Sequence, residues 1–392
     1  MRICVCGPFN PQSIRAYLYS GQEIPSINTS ASSVNIYVLE LLRSGHTVIA
    51  ITAAIPGVSK DIVLKGDKLI VHVVHSNPGL WFSHAFSRFY MVKRIKKVIS
   101  EYISQVDVIH AQWTYDFALA AKSFSKMIPV FCTVRDWCPY IISVQKGWRK
   151  IQWYAYYMIF RMVMDDDFIH FIANSEYTYH CVKKAYPSKN VSVIYNPIDK
   201  HLILSKKEIS IQEPTFISIA SSLVEDRKNI DTLIQAFHLF HKKHHNSQLK
   251  LVGAGEDIIV KKYSQAMLDG IDFCGLLGHD ELIDNIDMCT CLVHPSLEET
   301  FGNILLEGMA RRVAVIGGQN SGAVPIVLEG GKSGILCDIT DANSIEEAME
   351  QSCNEEFTKG ILAMATVSLY EKYSSYVIVE KHIELYSQYV ID

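Results

Sequence analysis

The chain has 392 residues, 49% of them hydrophobic and 20% charged, which is the composition of a soluble globular protein long enough for two domains. Its ten cysteines form no CxxC pair and have no histidine at ligand spacing, which argues against a zinc site and for buried, reduced thiols in a cytoplasmic protein. No run of about 18 apolar residues is present, so no membrane-spanning helix is expected. Met1–Gly7 is typical of a short strand leading into a loop, not of a signal peptide.

Strand-like and helix-like segments alternate through residues 1–205, which predicts βαβ units and a parallel sheet. The predicted strands are Ile3–Cys6, Thr47–Thr52, Leu69–His75, Val108–Ala111, Val130–Val134, Phe168–Ala173 and Val191–Tyr195. Helical patterns lie between them, at Ser33–Ser44 and Tyr115–Lys126. The polar stretch Ser205–Pro214 is predicted to be the interdomain linker.

Residues 206–366 repeat this alternation and predict a second α/β domain. The predicted strands are Thr215–Ala220, Leu249–Val252, Ile271–Phe273, Cys291–His294, Ala314–Ile316 and Gly334–Cys337. The predicted helices are Asn229–His241, Asp280–Asp287, Asn303–Arg311 and Ser344–Gln351. A last amphipathic segment, Val367–Tyr389, is followed by no strand, so residues 367–392 are treated as a separate C-terminal helix.

The net charge of −4 is distributed unevenly between the two predicted domains. Residues 1–205 contain 22 Lys and Arg against 13 Asp and Glu, a balance of +9. The rest of the chain contains 15 against 28, a balance of −13. This asymmetry indicates that the basic domain meets an anionic partner.

The segment His294–Ala310 is the most informative about function, because it places Glu299 and Glu307 eight positions apart. The apolar residues before it, in 286–293, predict a buried strand, and helical periodicity starts at Asn303. A helix that starts there exposes N–H groups and a positive dipole end that favour a phosphate. The segment therefore predicts an anion site with an acid on either side. The alternative is an exposed loop acid followed by an ordinary acid on a helix surface.

This segment resembles the E-x7-E motif of the family-4 retaining glycosyltransferases. These enzymes have the GT-B fold, an α/β fold of two Rossmann-like domains whose parallel sheets face each other across a cleft. The resemblance implies that Glu299 contacts the transferred sugar and that Glu307 binds the ribose of the nucleotide. It also implies that the backbone of the helix start holds the sugar and the diphosphate. The positions concerned are Phe301, Gly302, Asn303 and Ile304.

The stretch Ala220–Asp231 resembles the family segment in which an Arg, and a Lys six positions later, clamp the donor diphosphate. Lys228 occupies the Lys position, but Ser222 stands where the Arg is expected, which removes one bidentate phosphate contact. Arg227 is the candidate that compensates for this loss. The alternative for Lys228 is a solvated surface lysine.

Two segments of the first domain resemble sugar-contacting motifs of the family. Arg135 replaces a sugar-contacting His, and Asp136 follows it as a contact for acceptor or donor hydroxyls, so both are candidate catalytic residues. A surface ion pair is the alternative. His110 lies in a stretch similar to the family's His-Ala-x-Trp, where a packed histidine is an equally good interpretation. The polar loop Asn28–Ser33 replaces the usual Gly-Gly pair, and it either approaches the phosphates or caps the following helix.

Three other patterns carry less information. Gly253–Glu256 lacks the third glycine of a dinucleotide fingerprint. Asp165–Asp167 lies where charge usually solvates a turn, so we predict no metal and no cofactor. Gly322–Ile326 resembles the family's Gly-x-x-Pro-Glu segment, with Ile326 in place of Glu, or else is a plain turn into a helix.

The segment Trp81–Ser100 alternates aromatic and aliphatic residues with five cations, an arrangement typical of a helix that lies on an anionic bilayer. The alternative is a helix that packs its apolar face on the sheet. Lys146, Arg149 and Lys150 add to the positive charge of the same domain.

The resemblance predicts an acceptor-binding domain at 1–205, a nucleotide-sugar-binding domain at 206–366 and a C-terminal helix, 367–392, that returns to the first domain. It implies a retaining hexosyltransferase that moves a sugar from a nucleotide diphosphate sugar to a glycan or lipid-linked oligosaccharide in cell-surface polysaccharide biosynthesis. No nucleic-acid partner is expected. The rivals are a GT-B sugar-nucleotide epimerase, which needs no acceptor, and a non-catalytic protein that binds a glycan or a partner.

Overall fold

The computed structural model describes residues 1–25, 27, 32–54, 60–75, 84–204 and 213–390, with the backbone alone at 54, 84–87 and 204. The chain forms two compact units. The first unit comprises Met1–Pro197 and Ser375–Asp392, and the second comprises Ile198–Ser374. The predicted linker falls mostly outside the described residues, and the units divide before it, after Pro197.

The described strands of the first unit form one sheet of eight, in the order β3-β4-β2-β1-β5-β6-β7-β8. They are β1 (Arg2–Cys6), β2 (Thr47–Ala54), β3 (Ile62–Lys65), β4 (Leu69–His75), β5 (Val108–Ala111), β6 (Val130–Val134), β7 (Ile169–Ala173) and β8 (Val191–Val193). All pairs are parallel except β3 with β4. The antiparallel edge strand β3 was not predicted, because it is four residues long and buries only Leu64.

Helices cover both faces of this sheet. They are α1 (Ser32–Arg43), α2 (His84–Tyr102), α3 (Asp116–Lys122), α4 (Cys138–Val144), α5 (Gly147–Met164) and α6 (Glu176–Ala185), and Pro11–Tyr17 is a 3₁₀ segment. Ile3 and Val5 of β1 belong to one hydrophobic core, whereas Cys4 and Cys6 belong to the other. Burial on both sides explains why this strand is a continuous apolar run. Among the described residues, no helix combines the length and the apolar character needed to cross a bilayer.

The second unit contains a parallel sheet in the order β11-β10-β9-β12-β13-β14. Its strands are β9 (Thr215–Ser222), β10 (Gln248–Ala254), β11 (Ile271–Gly275), β12 (Cys291–His294), β13 (Ala314–Gly318) and β14 (Ile335–Cys337). Its helices are α7 (Lys200–Leu204), α8 (Ile230–Lys243), α9 (Glu256–Lys262), α10 (His279–Asp287), α11 (Asn303–Ala310), α12 (Val324–Val327), α13 (Ala342–Ser352) and α14 (Glu355–Ser368). Short 3₁₀ segments occur at Asp226–Lys228, Gln265–Met267 and Glu329–Gly331. The order is that of a Rossmann sheet, with its topological switch between β9 and β12.

The prediction of two α/β domains built on parallel sheets is confirmed, and two local assignments need correction. The predicted helix Asp280–Asp287 and the predicted strand Cys291–His294 are present, but the apolar run 286–293 is not one strand, because Ile286 belongs to α10 and Met288 is an exposed residue after it. The segment Val367–Tyr389 is not one helix, because α14 ends at Ser368 and a π-helical turn follows. Periodicity misled both assignments, since apolar residues of a helix end and of the next strand form one run.

The last helix, α15 (Ser375–Ser387), belongs to the first unit. The hydroxyls of Tyr386 and Tyr37 lie 2.6 Å apart, and the Tyr386 hydroxyl is 2.6 Å from His110 Nδ1. Ser375 donates a hydrogen bond of 2.7 Å to Glu40 of α1. These buried polar contacts join α15 to α1 and β5 and fix its position on the unit.

His382 of α15 makes the stability of the first unit depend on pH. Burial lowers its pKa to about 4, whereas an unfolded histidine titrates near 6.5. Because the unfolded chain then binds the proton more tightly, this histidine's contribution is complete above about pH 6.5 and is lost as the pH falls towards 4. We expect a loss on the order of 2 kcal/mol at pH 5 from this residue.

Thermal unfolding of wild-type protein and of His382→Phe between pH 7 and pH 5 tests this expectation. The variant should show a flatter dependence of Tm on pH, and His245→Gln, which changes an exposed histidine, should follow the wild type. Equal slopes for His382→Phe and wild type would show that His382 does not carry the effect.

Candidate active site

Three neighbouring strands of the second unit bring the predicted donor-site residues together. β9, β12 and β13 are adjacent and parallel, so their carboxyl ends lie at one edge of the sheet. The loop after β9 carries Arg227 and Lys228, the loop after β12 carries Glu299, and the turn after β13 carries Gly322. This edge, at the topological switch, is where ligands bind in sheets of this type.

Glu299 lies at the centre of this cluster. Its Oε2 atom is 3.5 Å from Lys228 Nζ and 3.3 Å from His294 Nε2, and its side chain is 18% exposed. Burial would raise the pKa of Glu299, but Lys228, His294 and Arg227 together outweigh burial and hold the pKa well below its usual range. The carboxylate is therefore ionised at neutral pH and cannot serve as a proton donor there.

Lys228 lies in a turn that its neighbour fixes. Asn229 adopts a left-handed conformation with φ of 53°, and its side-chain amide donates a 2.7 Å hydrogen bond to the carbonyl of Ile339. This anchor holds the end of the 3₁₀ segment, so the Lys228 side chain is directed to Glu299. The interpretation of Lys228 as a solvated surface lysine is wrong, because its side chain is mostly buried and paired.

Arg227 connects the loops that follow β9 and β12. Its Nη1 donates a 3.1 Å hydrogen bond to the Glu298 carbonyl, and its Nε donates one of 3.3 Å to Glu225. The Leu297 N–H in turn donates to the Arg227 carbonyl at 2.8 Å. Ser222 is the last residue of β9, at the end from which this loop starts. Arg227 thus holds the backbone that precedes Glu299 and adds positive charge beside it.

The turn after β13 supports the backbone of Glu299 from the other side. The Ala323 N–H donates a 2.8 Å hydrogen bond to the Glu299 carbonyl. Gly322 has φ of +60°, and a Cβ atom there would lie 2.3 Å from the same carbonyl oxygen. The segment that resembles Gly-x-x-Pro-Glu therefore does more than turn the chain into α12.

Gly322→Ala is expected to displace Glu299 and to lower activity. The clash with a backbone oxygen cannot be relieved by a side-chain rotation, and a shift of about 1 Å at a reacting group costs on the order of 100-fold in rate. Gly330→Ala is the matched control, because its φ of +65° carries the same conformational cost, whereas nothing lies within 4 Å of the added Cβ.

Activity and Tm of the two variants, measured side by side, separate the effects. Both should lose about 1 kcal/mol of stability from the left-handed backbone, and Gly322→Ala should lose more because of its clash with the Glu299 carbonyl. Only Gly322→Ala should lose activity. A similar loss in both variants would mean that the contact with Glu299 is unimportant.

The helix α11 begins directly after this loop. Gly302, its N-cap, has φ of 84° and supplies no capping side chain, and a Cβ there would meet Glu299 Cγ at 3.2 Å. Phe301 is buried, and Glu307 is the fifth residue of the helix and is also buried. The alternative of two solvent-exposed acids is therefore wrong. The start of α11, with Asn303 and Ile304, lies beside an ionised carboxylate and a lysine.

His294 is a site residue that sequence reasoning did not assign. It is the last residue of β12 and is almost fully buried, and its Nε2 has the Glu299 carboxylate as a charged neighbour at 3.3 Å but makes no hydrogen bond of normal geometry within the described residues. Burial lowers the pKa of His294, although Glu299 acts in the opposite direction, so the ring is neutral at pH 7. A buried polar atom without a hydrogen bond usually marks a ligand or water position.

Arg135 and Asp136 lie in the first unit and contact other residues of that unit. Arg135 is partly buried, with Nε donating to the Gln112 carbonyl at 2.9 Å and Nη1 to Ser33 and Asn196 at 2.8 and 2.7 Å. Burial lowers the pKa of Arg135 to about 10. Asp136 accepts hydrogen bonds from the Trp113 indole at 3.0 Å and the Tyr115 hydroxyl at 2.7 Å. The pair is not a surface ion pair, and its contact with a substrate stays a prediction.

His110 is a packed histidine, one of the two interpretations considered for it. Its Nε2 lies 2.7 Å from the Thr133 hydroxyl, and it is fully buried beside Tyr386. Burial lowers its pKa well below the usual value, so the ring is neutral. Residues 28–31 of the polar loop Asn28–Ser33 lie outside the described residues.

Within the described ranges, no group of three or more His, Cys, Asp and Glu side chains could hold one metal ion. Asp167 of the acidic run pairs with Lys189 at 2.6 Å, in keeping with a solvated turn. The expectation that no metal is required stays a prediction.

Two family models match this chain in succession. Residues 33–202 match the model "Glycosyltransferase Family 4", and residues 203–365 match the model "Glycosyl transferases group 1". Together the two matches cover residues 33–365, which contain most of both units and all the residues of the cluster around Glu299.

The matches to two curated relatives each cover about half of this chain and about half of the relative's own length. An N-acetyl-alpha-D-glucosaminyl L-malate synthase of Bacillus anthracis is 28% identical over 210 residues, 51% of this chain and 54% of the relative. The capsular polysaccharide biosynthesis glycosyltransferase CapM of Staphylococcus aureus is 25% identical over 203 residues, 49% of this chain and 51% of the relative.

A solved structure shows the same fold over the whole chain. Anabaena Alr3699/HepE in complex with UDP-glucose superposes with a TM-score of 0.70 at 16% identity, and the match covers 99% of this chain and 100% of that one.

Proposed function

Since the chain belongs to the family-4 glycosyltransferases, which have the GT-B fold, we propose that it transfers a hexosyl group from a nucleotide diphosphate sugar with retention of configuration. The acceptor in this proposal is a glycan or a lipid-linked oligosaccharide of cell-surface polysaccharide biosynthesis. The similarity to CapM supports that class of acceptor. The complex of Alr3699/HepE with UDP-glucose supports a nucleotide-sugar donor.

The observation that carries the proposal is the ionised Glu299 held beside Lys228 at the start of α11. A diphosphate at this helix start would meet the positive dipole end and the lysine, which stabilise the negative charge that develops on the leaving phosphate. Lys228 would exchange part of its contact with Glu299 for the phosphate. Glu299 would accept hydrogen bonds from sugar hydroxyls and orient the ring. Glu307 would bind the ribose.

In the proposed reaction, the bond between the anomeric carbon and the leaving phosphate oxygen breaks. The acceptor oxygen bonds to the same face of the sugar, and its proton passes to that phosphate oxygen. No protein nucleophile is required, which is compatible with a Glu299 that remains an ionised hydrogen-bond acceptor. We also propose that no metal is required, so that transfer should be unaffected by EDTA.

The acceptor side is assigned to the first unit, where the basic residues of the chain are concentrated. Asp136 and Arg135 are the proposed contacts of acceptor or donor hydroxyls. Both lie after β6, at the carboxyl edge of a parallel sheet, where ligands usually bind. A cytoplasmic location with peripheral attachment to the membrane is part of the same proposal.

Thermal-shift screening against UDP-, GDP-, ADP- and dTDP-sugars tests donor binding. One class should raise Tm, and Glu307→Gln should abolish that shift, whereas Glu347→Gln on the exposed face of α13 should not. An unchanged shift in Glu307→Gln would contradict its role. If incubation without an acceptor converts the donor into another nucleotide sugar, the protein is an epimerase. If no donor raises Tm, the protein is the non-catalytic one.

A further inference from the structure

Helix α5 exposes a continuous apolar stripe along its length. Trp148, Ile151, Tyr154, Met158 and Met162 recur every three or four residues, so they lie on one side of the helix. Their fractional exposures range from 44% to 70%. From the first to the last, the stripe is about 21 Å long at the α-helical rise. Single exposed apolar residues are ordinary, but an ordered row of five is not.

The fold does not need this stripe. The opposite side of α5 carries Ile159, Phe160, Val163 and Met164, which are buried in one of the two cores of the first unit. The buried side of α5 therefore packs on the first unit without the exposed row. An apolar row that stays in water after folding indicates a partner outside the chain's own core.

The charges around the stripe identify the kind of partner. α5 contains no Asp or Glu, and Arg149, Lys150 and Arg161 are exposed on it, as is Lys146 just before it. At 100° per residue, Lys150 and Arg161 border the stripe on the same side. Cations that border an apolar row containing Trp and Tyr are typical of a helix that lies in the interface of an anionic bilayer.

Beyond the acidic run Asp165–Asp167 that follows α5, one more exposed apolar side chain lies beside a cation. Phe168, four residues beyond the helix, is 56% exposed, and Lys126 Nζ lies 5.2 Å from the centre of its ring. Met127, beside that lysine in sequence, is also exposed. Apolar side chains with an adjacent cation thus occur past the helix end as well.

The helix predicted to contact the membrane uses its apolar residues differently. In α2, Ile95, Val98 and Ile99 are buried, so the described part of this helix packs on the sheet. Arg88 forms a bidentate ion pair with Asp116, and Arg94 pairs with Asp61. Phe89 and Tyr90 are the exposed large apolar residues of its described part, and Trp81–Ser83 lie outside the described residues.

We propose that α5 is a membrane-binding element, with its apolar stripe inserted between anionic lipid headgroups and its cations paired with their phosphates. Trp148 and Tyr154 would lie at the headgroup level, and Ile151, Met158 and Met162 would reach the acyl boundary. This inference rests on the peripheral membrane attachment in the proposed function and names the element responsible, but its evidence lies on α5, so its failure leaves the assignment of Glu299 unchanged.

Co-sedimentation with vesicles tests the proposal. Full-length protein should bind vesicles of phosphatidylcholine with about 30% phosphatidylglycerol and should not bind pure phosphatidylcholine. Trp148→Ser/Ile151→Ser and, separately, Lys150→Glu/Arg161→Glu should each weaken binding about tenfold or more. Phe89→Ser/Tyr90→Ser on α2 is the matched control, because it also removes two exposed large side chains. Its binding should stay within about twofold of that of the wild type.

All variants change exposed residues, so unchanged Tm and an unchanged nucleotide-sugar shift would establish that they are folded. Three results would overturn the proposal. They are no binding of wild-type protein to anionic vesicles, a loss of binding in the α2 variant with none in the α5 variants, and a dimer that Trp148→Ser/Ile151→Ser dissociates.

Discussion

Replacing Glu299 by Gln is expected to lower kcat/KM for sugar transfer by about 10²- to 10³-fold. The carboxylate is held ionised by Lys228, His294 and Arg227, so it can accept strong, charge-assisted hydrogen bonds from sugar hydroxyls. A neutral amide in the same place loses the charge and presents one donor where two acceptors are needed. Steady-state kinetics with the donor chosen by the thermal-shift screen measure the effect.

The affinity of Glu299→Gln for the nucleoside diphosphate distinguishes the loss of a sugar contact from a general loss of structure. In Glu299→Gln, Lys228 loses the ion pair of 3.5 Å that competes with a phosphate, so the diphosphate should bind as tightly as before or more tightly. Glu347→Gln, which changes an exposed carboxylate, should leave both kinetics and binding unchanged. Transfer by Glu299→Gln within about threefold of wild type would refute the assigned contact.

Replacing Arg311 by Met is expected to cost about 3–5 kcal/mol of stability in the second unit. Arg311 follows α11, and its Nε donates a 2.8 Å hydrogen bond to Asp287, the last residue of α10. The two side chains are only 4% and 3% exposed. Removal of the guanidinium would leave the Asp287 carboxylate buried without its counter-ion, and the helix that carries the donor site would lose its tie to α10.

The double variant Arg311→Met/Asp287→Leu should recover much of the lost stability, because it leaves no buried charge. Lys262→Met provides the matched surface control, since Lys262 and Asp231 form an ion pair in which both side chains are 54% exposed. It should cost less than about 1 kcal/mol. Thermal or urea unfolding of the wild type and the three variants measures these costs, and an equal cost for Arg311→Met and Lys262→Met would show that the buried pair is no more important than the exposed one.

The sequence predicted the parallel strands well because a strand buried on both faces is a distinct apolar run. Val108–Ala111 and Val130–Val134 begin and end where they were predicted. It predicted that Glu299, the helix start and Lys228 lie close together, because they follow neighbouring strands whose ends a parallel sheet brings to one edge. Alternation of elements is therefore enough to place these loops together.

Other features depend on three-dimensional contacts that no local pattern encodes. His294 looks in sequence like the polar end of a strand, and its importance comes from a buried Nε2 beside Glu299. Arg227 also holds the loop before Glu299 through Glu225 and Glu298, a role that the sequence did not indicate, and its contact with the diphosphate stays a prediction. The apolar residues of α2 and α5 have similar periodicity, and only burial shows which helix exposes them.

A crystal structure with the nucleotide sugar selected by the screen would show whether the diphosphate binds at the start of α11. We expect a β-phosphate oxygen about 3 Å from the N–H groups at that helix start and from Lys228 Nζ, with sugar hydroxyls against Glu299. A donor bound elsewhere on the protein, with the start of α11 unoccupied and Lys228 still paired with Glu299, would contradict this expectation.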